Sequence, residues 1–387
     1  TKVNTIGVIG PNADSRAALI GNYHGTSSEY ITVLEGIREE AGDDVRILYS
    51  QGCDLYKDKV ENLAWDQDRI SEAVITAENS DVVILCVGLD ETLEGEEGDT
   101  GNSDASGDKV DLHLPKVQEE LIEKVTAVGK PTIVVLMAGS AIDLNYAQDN
   151  CNGILLAWYP GARGGRAVAD LLFGKESPSG KLPITFYKDL EGMPEFTDYS
   201  MKNRTYRYME KEALYPFGYG LTYSDACVTG AEVIGEVSAE SDITLKATVK
   251  NNGTVDTDEV VQVYIKDLDS PLAVRNYSLC GFKRVSLKAG EEKSVEFTIS
   301  NKAMNIVDED GNRYIAGKHF RLFAGVSQPD TRSAFTTRSS PFGPIKVSGS
   351  VRSAFPNSLI GLGKNRLQII LFGITLANGL SIVCPPV

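Results

Sequence analysis

The stretch DVVILCV at Asp81–Val87 decides the fold of the first half of the chain. A near-continuous apolar run of this length is typical of a strand buried on both faces, and such strands belong to parallel sheets. Helical patterns separate it from four further runs, which are TIGVI at Thr5–Ile9, VRILY at Val45–Tyr49, TIVVLM at Thr132–Met137 and GILLAW at Gly153–Trp158. The alternation predicts an α/β domain over residues 1–190, an open and mostly parallel sheet sandwiched by helices.

From about residue 226 the apolar residues recur at every second position. Ile243, Leu245 and Val249 alternate with polar residues, and turn signals such as Asn252-Gly253 separate several runs of this kind. The pattern predicts an all-β immunoglobulin-like sandwich over residues 226–330. Residues 191–225 form a connector rich in Tyr and Gly. We expect it to pack on the α/β domain, because so many aromatic side chains are atypical of a solvated linker.

Charge is distributed unevenly over the 387 residues, whose formal net charge is −16. An acidic chain is repelled by nucleic acid and by anionic membrane surfaces, so neither is expected as a partner. After Asp330 no acidic residue occurs and six basic residues do, so residues 1–330 alone carry −22. Residues 331–387 are therefore expected to be a basic, non-homologous tail.

The end of this tail, residues 367–387, carries no charge. A bilayer is spanned by about 20 apolar residues, so a membrane segment is one interpretation. The two Gly, the polar side chains and the closing Pro pair weaken it, and a foreign or misread extension is favoured because the composition changes so abruptly.

The cysteines lie at wide spacings without a CxxC pair, at positions 53, 86, 151, 227, 280 and 384. With only His24, His113 and His319 beside them, neither a disulfide framework nor a zinc site is predicted, and no cofactor is expected. This cysteine usage is typical of a reducing compartment, so a cytoplasmic location is expected. The chain begins at Thr1 rather than Met, so an N-terminal signal cannot be assessed.

The strongest local signal is the loop GLDETLEGEEGDTGNSDASGD at residues 88–108, which follows the central strand. Ligands of open α/β sheets bind at the carboxyl ends of the strands, where this loop begins. Crowded carboxylates raise one another's pKa, which suits a general acid. Two other interpretations remain open, a solvated acidic loop and a calcium loop, although the acid spacing of an EF-hand is absent.

Two further stretches combine glycines with the end of a predicted strand. GVIGPNADSR at residues 7–16 lacks the Rossmann glycine pattern, and Pro11 removes an N–H group that a phosphate would need. WYPGARGG at residues 158–165 brings Trp158 and Tyr159 to a strand end, where they are candidates for stacking on a sugar. Ordinary packing of aromatic side chains in the core is the alternative.

Taken in order, these stretches resemble the C-terminal half of glycoside hydrolase family 3. The motifs that carry the resemblance are IGVIGPNAD at 6–14, GNYHG at 21–25, VGLDETLEGEEGD at 87–99, LHLP at 112–115, AWYPGARGG at 157–165, LLFGKESPSGKLPITF at 171–186, RTYRYM at 204–209 and YPFGYGLTY at 215–223. The second domain resembles the fibronectin type III-like domain of the same family through DEVVQVYIKD at 258–267, LCGFKRVSLKAGE at 279–291 and IAGKHFRLFAGVS at 315–327.

The resemblance implies a retaining β-glycosidase whose nucleophile Asp lies in a barrel domain and whose acid/base Glu lies on a loop of the α/β domain. Counted from Gly88-Leu89, the position similar to the acid/base residue is Glu96, with Glu97 as the alternative and Glu94 third. Tyr206 and Arg207 are similar to positions that hold the connector in place. The implied substrates are β-linked oligosaccharides or aryl glycosides of the glucoside or xyloside type.

The sequence departs from the family pattern in two respects. The loop carries Glu97 as well as Glu96, directly before Gly98, and no strand–helix series for the barrel is present. We therefore expect a fragment that is inactive alone and needs the barrel domain of the same protein as its partner. The alternative is a non-catalytic carbohydrate-binding or scaffolding protein that lost its barrel. Self-association into a homo-oligomer is left open.

Overall fold

The computed structural model describes residues 3–57, 68–96, 109–235 and 237–329 in full, and the backbone of strands at 335–340, 343–347 and 369–372. The chain divides into two compact units. The first comprises Thr1–Gly180, Tyr187–Leu190 and Lys364–Val387, and the second comprises Lys181–Phe186 and Glu191–Gly363.

The first unit contains a parallel sheet and its helices. The strands are β1 (Thr5–Ile9), β2 (Arg46–Ser50), β3 (Val82–Gly88), β4 (Thr132–Met137), β5 (Gly153–Leu156) and, from the tail, the strand Ile369–Phe372. The helices are α1 (Ala17–Ile20), α2 (Val33–Ala41), α3 (Asp68–Glu78), α4 (Lys116–Ala127), α5 (Asn145–Asn150) and α6 (Gly164–Leu172), with a short 3-10 helix at Gly42–Asp44.

The strand order confirms the predicted open α/β sheet. From one edge it reads Ile369–Phe372, β5, β4, β3, β1 and β2, with all neighbours parallel. The chain moves from β1 outward to β2 and then returns to β3 on the other side of β1. Right-handed crossovers in opposite directions put α2 and α3 on opposite faces of the sheet. The carboxyl ends of β1 and β3 therefore form a topological switch point, the place where ligands bind in such sheets.

Helix α2 illustrates how local sequence sets an element boundary. The Thr32 hydroxyl accepts a hydrogen bond from the backbone N–H of Glu35, and the Glu35 carboxylate accepts one from the backbone N–H of Thr32, at 3.2 and 2.7 Å. This reciprocal capping box satisfies two N–H groups that have no partner inside the helix. The helix thus begins at Val33 and turns its apolar side toward α6.

The second unit is built around a β-sandwich with two antiparallel sheets. Its strands are β6 (Ala226–Ile234), β7 (Ile243–Asn251), β8 (Thr257–Asp267), β9 (Ser278–Leu287), β10 (Glu292–Ile299), β11 (Ile306–Val307), β12 (Arg313–Tyr314), β13 (Phe320–Gly325), β14 (Phe335–Ser340) and β15 (Gly343–Val347). Helix α7 (Thr205–Tyr208) and a 3-10 helix at Asn301–Met304 complete it. One sheet has the order β10-β7-β6 and the other β15-β14-β13-β8-β9.

The core of this sandwich confirms the period of two read from the sequence. Along β7 every second residue is buried, including Leu245 and Val249. Phe297 of β10 and Leu322 of β13 are buried in the same cluster. The apolar faces of both sheets therefore close on a common core.

The aromatic residues of the connector pack within the second unit. The Tyr206 ring stacks on Phe217 with centroids 4.3 Å apart and meets the edge of Tyr264 on β8. The Asn276 side-chain amide donates hydrogen bonds to the backbone carbonyls of Tyr206 and Met209. Packing of the connector on the α/β domain stays a prediction.

The tail contributes strands to the described structure. The backbone of β14 and β15 extends the sheet of β13, and Ile369–Phe372 pairs with β5. The uncharged stretch 367–387 lies outside the described residues except for these four. In the described part of the chain, no helix combines the length and the apolar composition needed to cross a membrane.

Candidate active site

Four segments meet at the carboxyl edge of the first unit's sheet. They follow β1, β3, β4 and β5, at residues 10–12, 89–96, 138–140 and 157–159. Glycine is required where β3 ends, because Gly88 has φ +144° and a Cβ there would lie 1.9 Å from the Met137 carbonyl oxygen. The tight approach of the two strand ends brings the acidic loop beside the turn after β4.

The Glu94 carboxylate is bound by two other segments of this edge. Its Oε2 accepts a hydrogen bond from the Tyr159 hydroxyl at 2.6 Å and another from the backbone N–H of Gly139 at 2.6 Å. The side chain is half-buried. Two donors on separate segments therefore hold the Glu94 carboxyl in a defined position.

Tyr159 remains a hydrogen-bond donor over the ordinary pH range. Burial raises the pKa of its phenol well above the usual value, and the negative charges of Glu94 and Asp90 raise it further. Lys109 lies on the other side of the loop and donates to the Ala141 carbonyl at 2.8 Å. Burial lowers the Lys109 pKa, while Glu94 raises it.

A second loop, residues 21–25, reaches the acidic loop from beyond α1. The Tyr23 hydroxyl donates a hydrogen bond to Glu96 Oε2, and His24 Nε2 lies 3.0 Å from Glu91 Oε2. Tyr23 has φ +57°, a left-handed conformation that is costly for a non-glycine residue, and its side chain is 79% exposed. Glu96 is exposed as well.

The residues named from the sequence have different positions in the structure. Glu96 lies on the loop after β3 and bonds Tyr23, whereas Glu97 lies outside the described residues, as do the acids at 99, 104 and 108. Tyr159 contacts Glu94 directly. Trp158, with φ +52°, is half-buried at the end of β5, and this conformation explains why the strand ends at Leu156 and not at Trp158 as predicted.

Sequence reasoning did not assign roles to Tyr23, His24 or Gly139. Each contacts a carboxylate more than 40 residues away along the chain, and only the strand order brings them together. The GNYHG motif was the available signal for the first two. Within the four fully described ranges, no three His, Cys, Asp or Glu side chains gather into a group able to hold a metal ion.

Known proteins resemble the chain in sequence and structure. Residues 1–223 match the glycosyl hydrolase family 3 C-terminal domain, and residues 259–328 match the fibronectin type III-like domain. A beta-xylosidase of Formosa agariphila is 34% identical over 339 residues, which cover 84% of this chain and 45% of the relative. A xylan 1,4-beta-xylosidase of Xylanibacter ruminicola is 39% identical over 263 residues, covering 67% and 30%.

A solved structure of a β-glucosidase from Erythrobacter marinus has the same architecture. It matches with a TM-score of 0.74 at 31% identity, over 87% of this chain and 46% of that one. The chain spans about half the length, or less, of the curated relatives named above.

Proposed function

The chain belongs to glycosyl hydrolase family 3, and on that premise we propose that its acidic loop supplies the general acid/base of a retaining β-glycosidase. The observation that carries the proposal is the Glu94 carboxylate, fixed by Tyr159 and Gly139 at the carboxyl edge of the sheet, beside the switch point. Open α/β sheets bind ligands outside the carboxyl ends of their strands.

Retaining hydrolysis needs two carboxyl groups about 5–5.5 Å apart. One attacks the anomeric carbon and forms a covalent glycosyl-enzyme. The other first gives its proton to the leaving oxygen and then takes a proton from the attacking water. The second role is the one proposed for this loop. The nucleophile is assigned to a barrel domain, which the described residues do not form, so residues 1–387 alone are expected not to turn over a glycoside.

The contacts favour Glu94 as the acid/base residue, whereas counting along the sequence favours Glu96. An acid/base group has to be held close to one position while the proton moves. Glu94 is half-buried and has two fixed donors, but Glu96 is exposed and bonds the largely exposed Tyr23. We therefore propose Glu94 first, with Glu96 and Glu97 as the rivals to be tested.

We propose β-xylosides or β-glucosides as substrates, because the named relatives include a beta-xylosidase and a β-glucosidase. Aromatic faces stack on sugar rings, and Tyr23 offers an exposed ring beside the loop. Trp158 is the second proposed sugar contact. Tyr159 is better suited to orienting Glu94, since its hydroxyl is engaged there.

The test uses the polypeptide made from the complete reading frame, with Glu94→Gln, Glu96→Gln and Glu97→Gln compared side by side. Loss of a general acid costs about 10²–10⁴-fold, and the loss concentrates on substrates with poor leaving groups. We expect Glu94→Gln to lose kcat/KM for an alkyl β-xyloside while keeping most of kcat/KM for the dinitrophenyl xyloside, with breakdown of the glycosyl-enzyme limiting kcat. Added azide should restore turnover as the β-glycosyl azide.

The same pattern in Glu96→Gln or Glu97→Gln, with Glu94→Gln unaffected, would transfer the role to that residue. If none of the three variants shows it, the loop is not the acid/base loop. Binding of xylo-oligosaccharides without any turnover by the complete polypeptide would favour the non-catalytic alternative.

A further inference from the structure

We propose that Gln118 and Asn12, two buried amides outside the acidic loop, are positioning residues for the acid/base carboxylate. This inference rests on the proposed function and goes beyond it, because it concerns residues that cannot themselves contact a substrate. Both side chains are fully buried, with an exposed fraction of 0%.

Gln118 of α4 binds both polar backbone groups of Gly88. Its Oε1 accepts a hydrogen bond from the Gly88 N–H at 2.8 Å, and its Nε2 donates to the Gly88 carbonyl at 2.8 Å. The second N–H of the amide donates to the Leu55 carbonyl at 2.6 Å. The Gln118 amide thus bonds the N–H and the carbonyl of Gly88, the last residue of β3, as the backbone of an adjacent strand would.

Asn12 binds the next residue of the same chain segment. Its Nδ2 donates to the Leu89 carbonyl at 3.0 Å, and its backbone N–H bonds the Cys86 carbonyl at 3.3 Å. Asn12 itself comes from the turn after β1. The two carbonyls at which the loop begins are therefore both bound by amides from neighbouring segments of the switch point.

The path from this clamp to Glu94 is short and internally bonded. Leu89 N–H donates to the Met137 carbonyl at 2.7 Å, and the Asp90 carbonyl accepts from Glu94 N–H at 2.9 Å. The Asp90 side chain also accepts hydrogen bonds from Thr92. A shift at Gly88 is thereby passed to Glu94, six residues further along.

The clamp does more than fill space on α4. Gln118 lies beside the buried Leu121 and Ile122, and an apolar side chain there would leave the Gly88 N–H and the Gly88 and Leu55 carbonyls without this partner. A buried amide with all its partners fixes one geometry of the backbone that it binds. The geometry it fixes here is the exit of β3 into the acidic loop.

The test compares Gln118→Met with Gln262→Met as its matched control. Gln262 is an equally buried glutamine of the second unit that donates to two backbone carbonyls, of Gly218 and Val326, and accepts from the Tyr264 hydroxyl. Methionine keeps the length of glutamine and removes every hydrogen bond. Asn12→Ala serves as the second variant and is decisive if Gln118→Met does not fold.

The first readout is deuterium uptake by the chain 1–387. Loss of the Gln118 bonds should speed exchange in the segment 88–94 about tenfold, the effect of one net hydrogen bond, whereas Gln262→Met should leave that segment unchanged. Unchanged exchange in Gln118→Met and in Asn12→Ala would show that neither amide holds the loop, and the inference would be overturned.

The second readout is the ratio of kcat/KM for poor and good leaving groups in the complete polypeptide. Displacement of a catalytic group by about 1 Å costs up to about 10²-fold, so this ratio should fall by about that factor in Gln118→Met and stay constant in Gln262→Met. One outcome separates the two proposals. If Glu94→Gln shows the acid/base signature but Gln118→Met lowers kcat/KM equally for poor and good leaving groups, the inference fails and the proposed function stands. Absence of the signature in all three loop variants is instead a failure of the proposed function.

Discussion

At the scale of a single residue, Tyr159 is half-buried and its hydroxyl bonds the carboxyl group of Glu94. Its hydroxyl is 2.6 Å from Glu94 Oε2, and its raised pKa keeps the proton on the phenol. A tyrosine that stays protonated beside a carboxylate acts as a fixed donor and takes no part in proton transfer. On the proposed function its role is to orient Glu94, which among the described contacts also accepts from the Gly139 N–H.

Tyr159→Phe is expected to lower kcat/KM for glycosides with poor leaving groups by about tenfold to a hundredfold. The reason is the loss of a hydrogen bond to a charged acceptor, worth about 1.5–3 kcal/mol. Steady-state kinetics of the complete polypeptide measure the effect. Tyr146→Phe is the matched control, because that tyrosine is exposed and Thr126 is the one partner of its hydroxyl among the described contacts. Equal kinetics for the two variants would contradict the assignment.

At the scale of elements, the approach of α2 to α6 depends on glycines at the crossing. A Cβ at Gly36 of α2 would lie 2.1 Å from the carbonyl oxygen of Gly165, and a Cβ at Gly165 would lie 1.8 Å from that of Thr32. Both distances are to backbone atoms, which have no flexible end that could move aside. The segment WYPGARGG therefore serves the packing of the two helices as well as the site.

Gly36→Ala should lower the free energy of unfolding of the first unit by about 1–3 kcal/mol, the usual cost of overpacking. The gain in helix propensity, about 1 kcal/mol, offsets part of this loss. Urea denaturation followed by circular dichroism measures the change. Gly25→Ala is the control, because a Cβ there meets nothing within 4 Å. A stabilised Gly36→Ala variant would mean that the helices are free to separate.

The sequence predicted the elements better than it predicted their contacts. Strand β3 begins and ends within one residue of the predicted run, because a continuous apolar stretch between polar ends is a local signal. The bond between Tyr159 and Glu94 joins residues 65 apart and depends on strand order. The contact of Gln118 was not predicted from the sequence. This polar residue interrupts the apolar side of α4, and its partner Gly88 lies on another element.

At the scale of the whole molecule, a buried ion pair fixes the segment 181–186 within the second unit. Lys181 Nζ lies 2.7 Å from Glu259 Oε1 on β8, with side chains 8% and 3% exposed. The same ammonium group donates to the Gly220 carbonyl at 2.7 Å. Burial raises the pKa of the Glu259 carboxyl, and Lys181 counteracts that rise.

Lys181→Met should destabilise the second unit by about 3–5 kcal/mol at pH 7, because it leaves a buried carboxylate without its partner. Without Lys181, the pKa of Glu259 in the folded state lies still further above its ordinary value of 4.5. The folded state then binds the proton more tightly than the unfolded state, so stability falls as pH rises above about 4.5. The loss is therefore expected to be smaller at pH 4.5 than at pH 7.

Urea denaturation at the two pH values measures this difference. The double variant Lys181→Met with Glu259→Met is the control, since replacing both members of a buried pair by apolar groups is often close to neutral. It should recover most of the stability at pH 7. Equal losses for the single variant at both pH values would contradict an uncompensated charge as the cause.

The division of the chain between the units restricts how this protein can be cut or recombined. The backbone leaves the first unit at Gly180, returns to it for Tyr187–Leu190 and leaves again at Glu191. No single scission between residues 180 and 191 yields two intact halves, since each cut separates one unit from some of its own residues. Exchange or deletion of the sandwich therefore needs a junction that keeps residues 187–190 with the first unit and residues 181–186 with the second.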